Sequence, residues 1–168
     1  MKITIFKSMR LLICTSGNTE ILRAHIQLGF GADNGPKQRE GDGRTPEGSY
    51  VVSTRNPASK FHLALGLSYP GPNDARRALA SGIIDSWTCE RICRNPERPP
   101  WDTPLGGFIM IHGQKSPPAQ GDWTAGCIAV DNSVMDALYL LIHIGTPVEI
   151  LPFCAAYIKY NSEKPSNQ

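Results

Sequence analysis

A histidine and a cysteine 15 residues apart are the residues of this sequence best suited to chemistry. His112 stands in the segment IHG (Ile111–Gly113), and Cys127 ends the segment TAGC (Thr124–Cys127). A free thiol is only slightly ionised at neutral pH, so a cysteine nucleophile needs a nearby base, which a histidine can supply. The pair therefore indicates nucleophilic catalysis, with Cys127 as the nucleophile and His112 as its base.

Gly126, directly before the cysteine, adds a second argument. A residue without a side chain allows backbone N–H groups to approach the oxyanion that develops at an attacked carbonyl. The natural donors are the N–H groups of Gly126 and Cys127, which predicts an oxyanion hole at these two residues. The alternative is structural, because a cysteine in an apolar strand is usually inert packing and a lone histidine is usually a satisfied surface or core residue.

Two short strands are expected to position this pair. Phe108–Ile111 is a fully apolar run that predicts a buried strand ending at His112, and Cys127–Val130 predicts another strand. If these strands are neighbours, both side chains reach the same end of one sheet. Alternating or apolar runs predict six further strands, over Ile3–Lys7, Arg10–Thr15, Leu22–Leu28, Ser49–Thr54, Phe61–Leu67 and Pro147–Leu151.

The 16 glycines and 14 prolines indicate many turns, and hence short strands rather than long helices. They are concentrated in Gly29–Gly48, which predicts a long loop, and in Ile83–Gly107, which predicts an irregular excursion rather than a second domain. Long ordered loops often build binding sites, so we expect both to wall a cleft. The helices predicted elsewhere run over Asp74–Ser81, capped by Asn73, and from Asp131 or Asn132 to Gly145.

Composition predicts one folded domain and excludes several function classes. The chain has 168 residues, 40% of them hydrophobic, and a formal net charge of +2. This charge is too small for a typical nucleic-acid binder, so no nucleic-acid partner is expected. No run approaches the roughly 18 apolar residues of a membrane span, and the apolar residues near the N-terminus are too few for a visible signal peptide.

Five cysteines, an odd number, argue against a disulfide scaffold and predict at least one free thiol. Cys89 and Cys93 stand four residues apart and could form a zinc site with His62 or His112. The pattern lacks a second pair of ligands, so a local disulfide or two plain thiols is the better interpretation. No metal and no other cofactor is predicted.

Four segments together resemble the L,D-transpeptidase catalytic domain, also called the YkuD domain, in its murein-active branch. The resemblance implies a mainly β fold with short helices, a β-sandwich of mixed sheets, with residues 1–152 as the catalytic domain and 153–168 as a polar tail. The segments occur in the order of the family: GDGRTPEG at Gly41–Gly48, FHLALGLSYP at Phe61–Pro70, IHG at Ile111–Gly113 and WTAGCIAVDN at Trp123–Asn132.

The same resemblance assigns roles to the candidate residues. Cys127 is the nucleophile, His112 is the general base, and the carbonyl of Gly113 orients the imidazole where other enzymes use an acid. Asp122 is the carboxylate that could serve instead. The implied substrate-binding residues are His62, Tyr69, Trp123, Thr124 and Ala125.

Two positions depart from the pattern of the resembled family. Ala129 stands where many members carry an arginine that is often tied to a substrate carboxylate, and Ala125 stands where many carry a histidine. These departures leave the recognition of a substrate carboxylate open. The order of the pair, with His112 first, disfavours papain-like and NlpC-type peptidases, whose cysteine precedes their histidine.

The function implied by the resemblance is peptidoglycan L,D-transpeptidation. Cys127 would attack the meso-diaminopimelate carbonyl of a stem tetrapeptide, release D-Ala, and pass the thioester to an acceptor amine, which could belong to a lipoprotein. The alternatives are an L,D-carboxypeptidase or amidase on the same substrate, or a non-catalytic cell-wall-binding module. The resemblance also implies a monomer in the periplasm or cell envelope.

Overall fold

The computed structural model describes residues 1–152, which form eight strands and three short α-helices. The predicted fold class, mainly β with short helices, is confirmed. The tail predicted at 153–168 lies outside the described residues. The strands are β1 (Lys2–Phe6), β2 (Leu11–Ser16), β3 (Thr19–His25), β4 (Gly48–Ser59), β5 (His62–Leu67), β6 (Met110–His112), β7 (Ile128–Ala129) and β8 (Pro147–Leu151), and the helices are α1 (Pro72–Ala80), α2 (Ser86–Arg94) and α3 (Asn132–Leu141).

The strands form one mixed, curled sheet in the order β3-β2-β1-β8-β4-β5-β6-β7. The long strand β4 joins its two halves, because residues 48–51 pair with β8 and residues from 52 onward pair with β5. After β3 the chain reaches the opposite edge, where Gln27 and Ala129 of β7 exchange backbone hydrogen bonds of 2.9 and 2.8 Å. The two edges of the sheet therefore meet, which leaves neither edge fully open to solvent.

One hydrophobic core fills the curled sheet. Period-two alternation along β5 buries Leu65 and Leu67, and residues such as Ile5, Leu12 and Ile111 from other strands pack into the same cluster. Full burial of each such side chain contributes about 1.5–3 kcal/mol. No helix within residues 1–152 is long and apolar enough to cross a membrane.

Three local predictions are wrong. The cap of α1 is Gly71 rather than Asn73, because the buried carboxylate of Asp74 accepts a hydrogen bond from the Gly71 N–H at 2.9 Å. The stretch predicted to be irregular contains α2, which begins after Asp85. The strand that ends at His112 starts at Met110 instead of Phe108, whose side chain is exposed.

Two buried lysines order the long loop between β3 and β4. Lys7 pairs with Glu47 at 2.7 Å, and Lys37 pairs with Asp42 at 2.9 Å. Buried ammonium groups are stable only when they are paired, so these contacts fix the GDGRTPEG segment in one conformation. The ordered loop packs against Gly126 and thereby reaches the residues around Cys127.

Candidate active site

The register of two parallel strands brings His112 and Cys127 to the same face of the sheet. Strand β6 pairs with β7 so that His112 lies opposite Ala129, and Cys127 directly precedes β7. Cys127 and Ala129 point to one face because side chains alternate along a strand, and His112 shares that face. Both His112 and Cys127 line a cavity of about 470 Å³.

The imidazole of His112 is buried and oriented. Its Nδ1 lies 2.7 Å from the carbonyl oxygen of Gly113, so Nδ1 carries the proton and Nε2 remains as the acceptor. Phe61 stacks on the ring at a centroid distance of 4.8 Å, and Trp123 meets it edge to face at 5.6 Å. Burial lowers the pKa of His112, an effect that the Gly113 carbonyl opposes and the charge of Lys60 reinforces. His112 is therefore neutral at neutral pH, as a general base must be.

The thiol of Cys127 is half-buried, and its sulfur donates a hydrogen bond to the carbonyl of Phe108 at 3.3 Å. Burial raises the pKa of Cys127, while the Met110 N–H and the charges of Lys37 and Lys60 lower it in part. The resting group is thus a thiol, which needs a base before it can attack a carbonyl.

Thr124 organises the turn that precedes the cysteine. Its hydroxyl donates to the Cys127 carbonyl at 2.7 Å and accepts the Gly126 N–H at 3.2 Å. The sequence predicted this Gly126 N–H as an oxyanion donor, and in the structure it is directed to Thr124 instead. The Cys127 N–H is the remaining candidate of the predicted pair.

Gly126 is held in a conformation that favours glycine. Its φ is +132°, and a Cβ atom there would lie 2.7 Å from the carbonyl oxygen of Arg44 and 3.1 Å from Cδ1 of Ile109. The ordered loop therefore comes so close to the turn before Cys127 that no side chain fits between them.

We expect Gly126→Ala to lower the melting temperature and to reduce turnover. Backbone strain of about 1–3 kcal/mol corresponds to roughly 3–10 °C in a chain of this size, and a displaced Cys127 N–H would cost about 100-fold in rate. Thermal unfolding and an assay of turnover measure the two effects. The control is Gly82→Ala, because Gly82 also has a positive φ, +68°, but has no atom within 4 Å of a Cβ. Equal loss of activity in both variants would contradict the steric argument.

Of the predicted substrate-binding residues, Trp123, Thr124 and Ala125 line the cavity, and two others do not. Tyr69 is fully buried in the core and its hydroxyl donates to the Leu105 carbonyl at 3.2 Å, so the prediction that it lines the cleft is wrong. His62 is exposed and lies outside the cavity, with Nε2 2.6 Å from Asp136 of α3. The His62 side chain thus contacts α3 rather than the cavity, and its role in substrate binding stays a prediction.

Asp122 does not take part in a catalytic triad. Its carboxylate pairs with Arg10 and accepts the Leu28 N–H at 2.8 Å. It therefore fixes the chain after β3 rather than the imidazole of His112, which is oriented by Gly113.

Sequence reasoning missed several residues that build the cavity. Gln27 accepts a hydrogen bond from Trp123 Nε1 at 3.0 Å and so positions that ring. No local signal marks Gln27, because the contact joins residues 96 positions apart. The lining residues that were not predicted are Asn56, Ser59, Lys60, Phe61, Ala64, Phe108 and Met110.

The cysteines of the described region are all thiols. Cys14, Cys89, Cys93 and Cys127 are free. The sequence left open a local disulfide or two thiols for Cys89 and Cys93, and in the structure both are thiols. No group of three or more His, Cys, Asp or Glu side chains within residues 1–152 could hold a metal ion.

A thiol and a neutral imidazole in one cavity, beside a candidate backbone donor, are the components of nucleophilic acyl transfer. Fold and site together define the class of this protein: a curled, mainly β domain with a candidate cysteine nucleophile. The chain belongs to the YkuD family, the L,D-transpeptidase catalytic domain, whose family model matches residues 1–150.

Individual relatives are distant. The chain is 24% identical to the protein named "Putative L,D-transpeptidase YafK" of Escherichia coli, over 98% of this chain and 59% of YafK. The chain thus spans about three fifths of that curated relative.

Two solved structures have the same fold. The helical cell shape determining protein Pgp2 of Campylobacter jejuni is 20% identical with a TM-score of 0.62, over 89% of this chain and 46% of Pgp2. An L,D-transpeptidase of Xylanimonas cellulosilytica is 16% identical with a TM-score of 0.51, over 89% of this chain and 59% of that one.

Proposed function

We propose that residues 1–152 form a cysteine acyltransferase domain that acts on peptidoglycan stem peptides as an L,D-transpeptidase. One observation carries the proposal. His112 and Cys127 share one cavity, and the bond from His112 Nδ1 to the Gly113 carbonyl leaves Nε2 to accept the thiol proton. Membership of the L,D-transpeptidase family supports peptidoglycan as the class of substrate.

The proposed reaction has two steps. In the first, His112 Nε2 accepts the Cys127 proton while the sulfur attacks the carbonyl carbon at the L-centre of meso-diaminopimelate. The resulting oxyanion accepts a hydrogen bond from the Cys127 N–H. The bond to D-Ala then breaks, the imidazolium donates its proton to the departing amine, and a thioester remains on Cys127.

In the second step an acceptor amine attacks the thioester carbon and gives a proton to His112. The carbon–sulfur bond breaks, the sulfur regains a proton from His112, and a new amide is formed. The acceptor is the side-chain amine of a second stem peptide or an amine of a lipoprotein. Water in place of the amine makes the same site an L,D-carboxypeptidase, and a lipoprotein as the departing amine makes it an amidase.

The place of action that fits this substrate is the cell envelope or periplasm. Pgp2, which shares the fold, determines helical cell shape in its organism, and we propose a role in shaping the wall for this chain also. We also propose that the domain acts as a monomer, as the family resemblance implies.

The test is incubation with a disaccharide tetrapeptide, alone or with an acceptor tripeptide, followed by mass spectrometry. We expect loss of D-Ala and a transient mass increase on the peptide that contains Cys127. A cross-linked dimer identifies the transpeptidase, tripeptide alone the carboxypeptidase, and cleavage of a lipoprotein–tripeptide conjugate the amidase. Binding of these substrates without any product would overturn the proposal in favour of a wall-binding module.

A further inference from the structure

The lining of the cavity that holds Cys127 and His112 carries charge of only one sign. Among the described residues, its lining contains one formally charged side chain, that of Lys60, and no carboxylate. Lys60 lies in the short turn between β4 and β5 and is exposed. Its Nζ stands 4.9 Å from the ring centroid of Phe61, the ring that stacks on His112. The fixed charge of the cavity wall therefore lies beside the candidate catalytic pair.

A second lysine lies over the adjoining aromatic wall. Lys115 Nζ is 5.0 Å from the ring centroid of Trp123, and Trp123 contacts the Phe61 ring edge to face at 5.2 Å. Two ammonium groups are thus held over neighbouring rings, an arrangement that positions a cation while most of its charge still faces solvent.

Two acidic residues beside the aromatic rings of this wall are bonded to other groups. Asp122 pairs with Arg10 and Asp136 bonds to His62. Within residues 1–152 neither Lys60 nor Lys115 forms an ion pair. Among the described residues, the lining therefore carries one positive charge that forms no ion pair, and such a charge attracts an anionic ligand.

One further fact agrees with an anion site at this wall. Burial has the largest effect on the pKa of His112 and of Cys127, and the charge of Lys60 lowers both pKa values. Lys60 therefore lies within electrostatic reach of both groups.

We propose that Lys60 binds a carboxylate of the donor substrate, with Lys115 as a second positive charge on the adjoining wall. This assignment rests on the proposed function, since a stem tetrapeptide offers three carboxylates. These are the α-carboxylate of D-Glu, the D-centre carboxylate of meso-diaminopimelate and the C-terminus of D-Ala. Lys60 is then a determinant of donor affinity and not a participant in bond breaking.

The test compares Lys60→Met with Lys60→Arg, and with Lys2→Met as a control that removes the same charge far from the cavity. Lys2 is an exposed residue of β1 paired with Glu149 at 2.7 Å. We expect Lys60→Met to raise KM for the tetrapeptide about tenfold, or about 1.4 kcal/mol, with kcat nearly unchanged. Lys60→Arg restores most of the affinity, and Lys2→Met has no effect.

Binding is measured separately, in a Cys127→Ala background with and without Lys60→Met. Calorimetry uses the same tetrapeptide and three tetrapeptides that each carry one carboxamide. One carboxamide peptide should bind about tenfold more weakly than the native tetrapeptide to the protein that keeps Lys60, but equally well to the Lys60→Met protein. The carboxylate replaced in that peptide is the one that Lys60 binds. Equal affinity of the two proteins for all four peptides overturns the assignment.

The two measurements distinguish this inference from the proposed function. Release of D-Ala with no change in affinity on Lys60→Met leaves the function intact and overturns the role of Lys60. A loss of affinity without any turnover in the native protein supports Lys60 as the anion site and overturns the proposed reaction.

Discussion

Replacing Cys127 by alanine is expected to abolish D-Ala release while the protein remains folded. Among the described residues that line the cavity, Cys127 carries the only thiol, and no thioester can form without it. Loss of a nucleophile that acts together with its base costs at least about 1,000-fold in rate. The substitution removes one half-buried sulfur atom, so we expect the melting temperature to change by only a few degrees.

Cys93→Ala is the matched control for this experiment. Cys93 is also a half-buried free thiol, but it lies on α2 and does not line the cavity. Stopped product assays by mass spectrometry, with circular dichroism on the same samples, compare the two variants. Turnover by Cys127→Ala at the rate of Cys93→Ala would show that another group performs the attack.

Sequence periodicity predicted the parts of the fold that carry strong local signals. The strand predicted at Pro147–Leu151 matches β8, and the apolar positions after Asp131 correctly indicated α3. The neighbouring placement of β6 and β7 could only be supposed, because two strands of three and two residues contain too few side chains to specify a partner. The position of β7 in the sheet depends on tertiary contacts, such as the pairing of Gln27 with Ala129.

Helix α2 escapes sequence-based prediction for a related reason. Its nine residues bury only Cys89 and Ile92, and the prolines that follow it indicate an irregular chain. The cap by Asp85, which accepts the Thr88 N–H at 2.7 Å, is a recognisable signal for a helix start. Local capping therefore outweighs the turn-rich composition of the stretch.

Errors at the candidate site concern which way a side chain points. Tyr69 and Phe61 stand in the same sequence segment, and an aromatic residue there could face either the core or the cleft. Tyr69 faces the core, where Tyr50 meets its ring edge to face at 6.1 Å, and Phe61 faces His112. His112 and Cys127 could be singled out from sequence because the proposed chemistry itself restricts the residue types that can perform it.

Replacing His112 by glutamine is expected to lower kcat/KM by about 100- to 10,000-fold, the usual contribution of a general base. Glutamine retains a hydrogen-bond donor but has no nitrogen that accepts a proton near neutral pH. The rings of Phe61 and Trp123 still enclose the site, so binding of the donor peptide should persist. His143→Gln is the control, because His143 is exposed after the end of α3 and does not line the cavity.

The pH profile provides the decisive readout for His112. Burial lowers the pKa of His112, so the imidazole loses its proton below the ordinary histidine value of about 6.5. As pH falls, the decline in activity should therefore be centred below pH 6.5, where His112 becomes protonated. This acid limb should disappear in the residual activity of His112→Gln, and it should move to higher pH in Lys60→Met, since the lysine charge disfavours imidazolium. An acid limb that persists unchanged in His112→Gln would assign the titrating base to a different group.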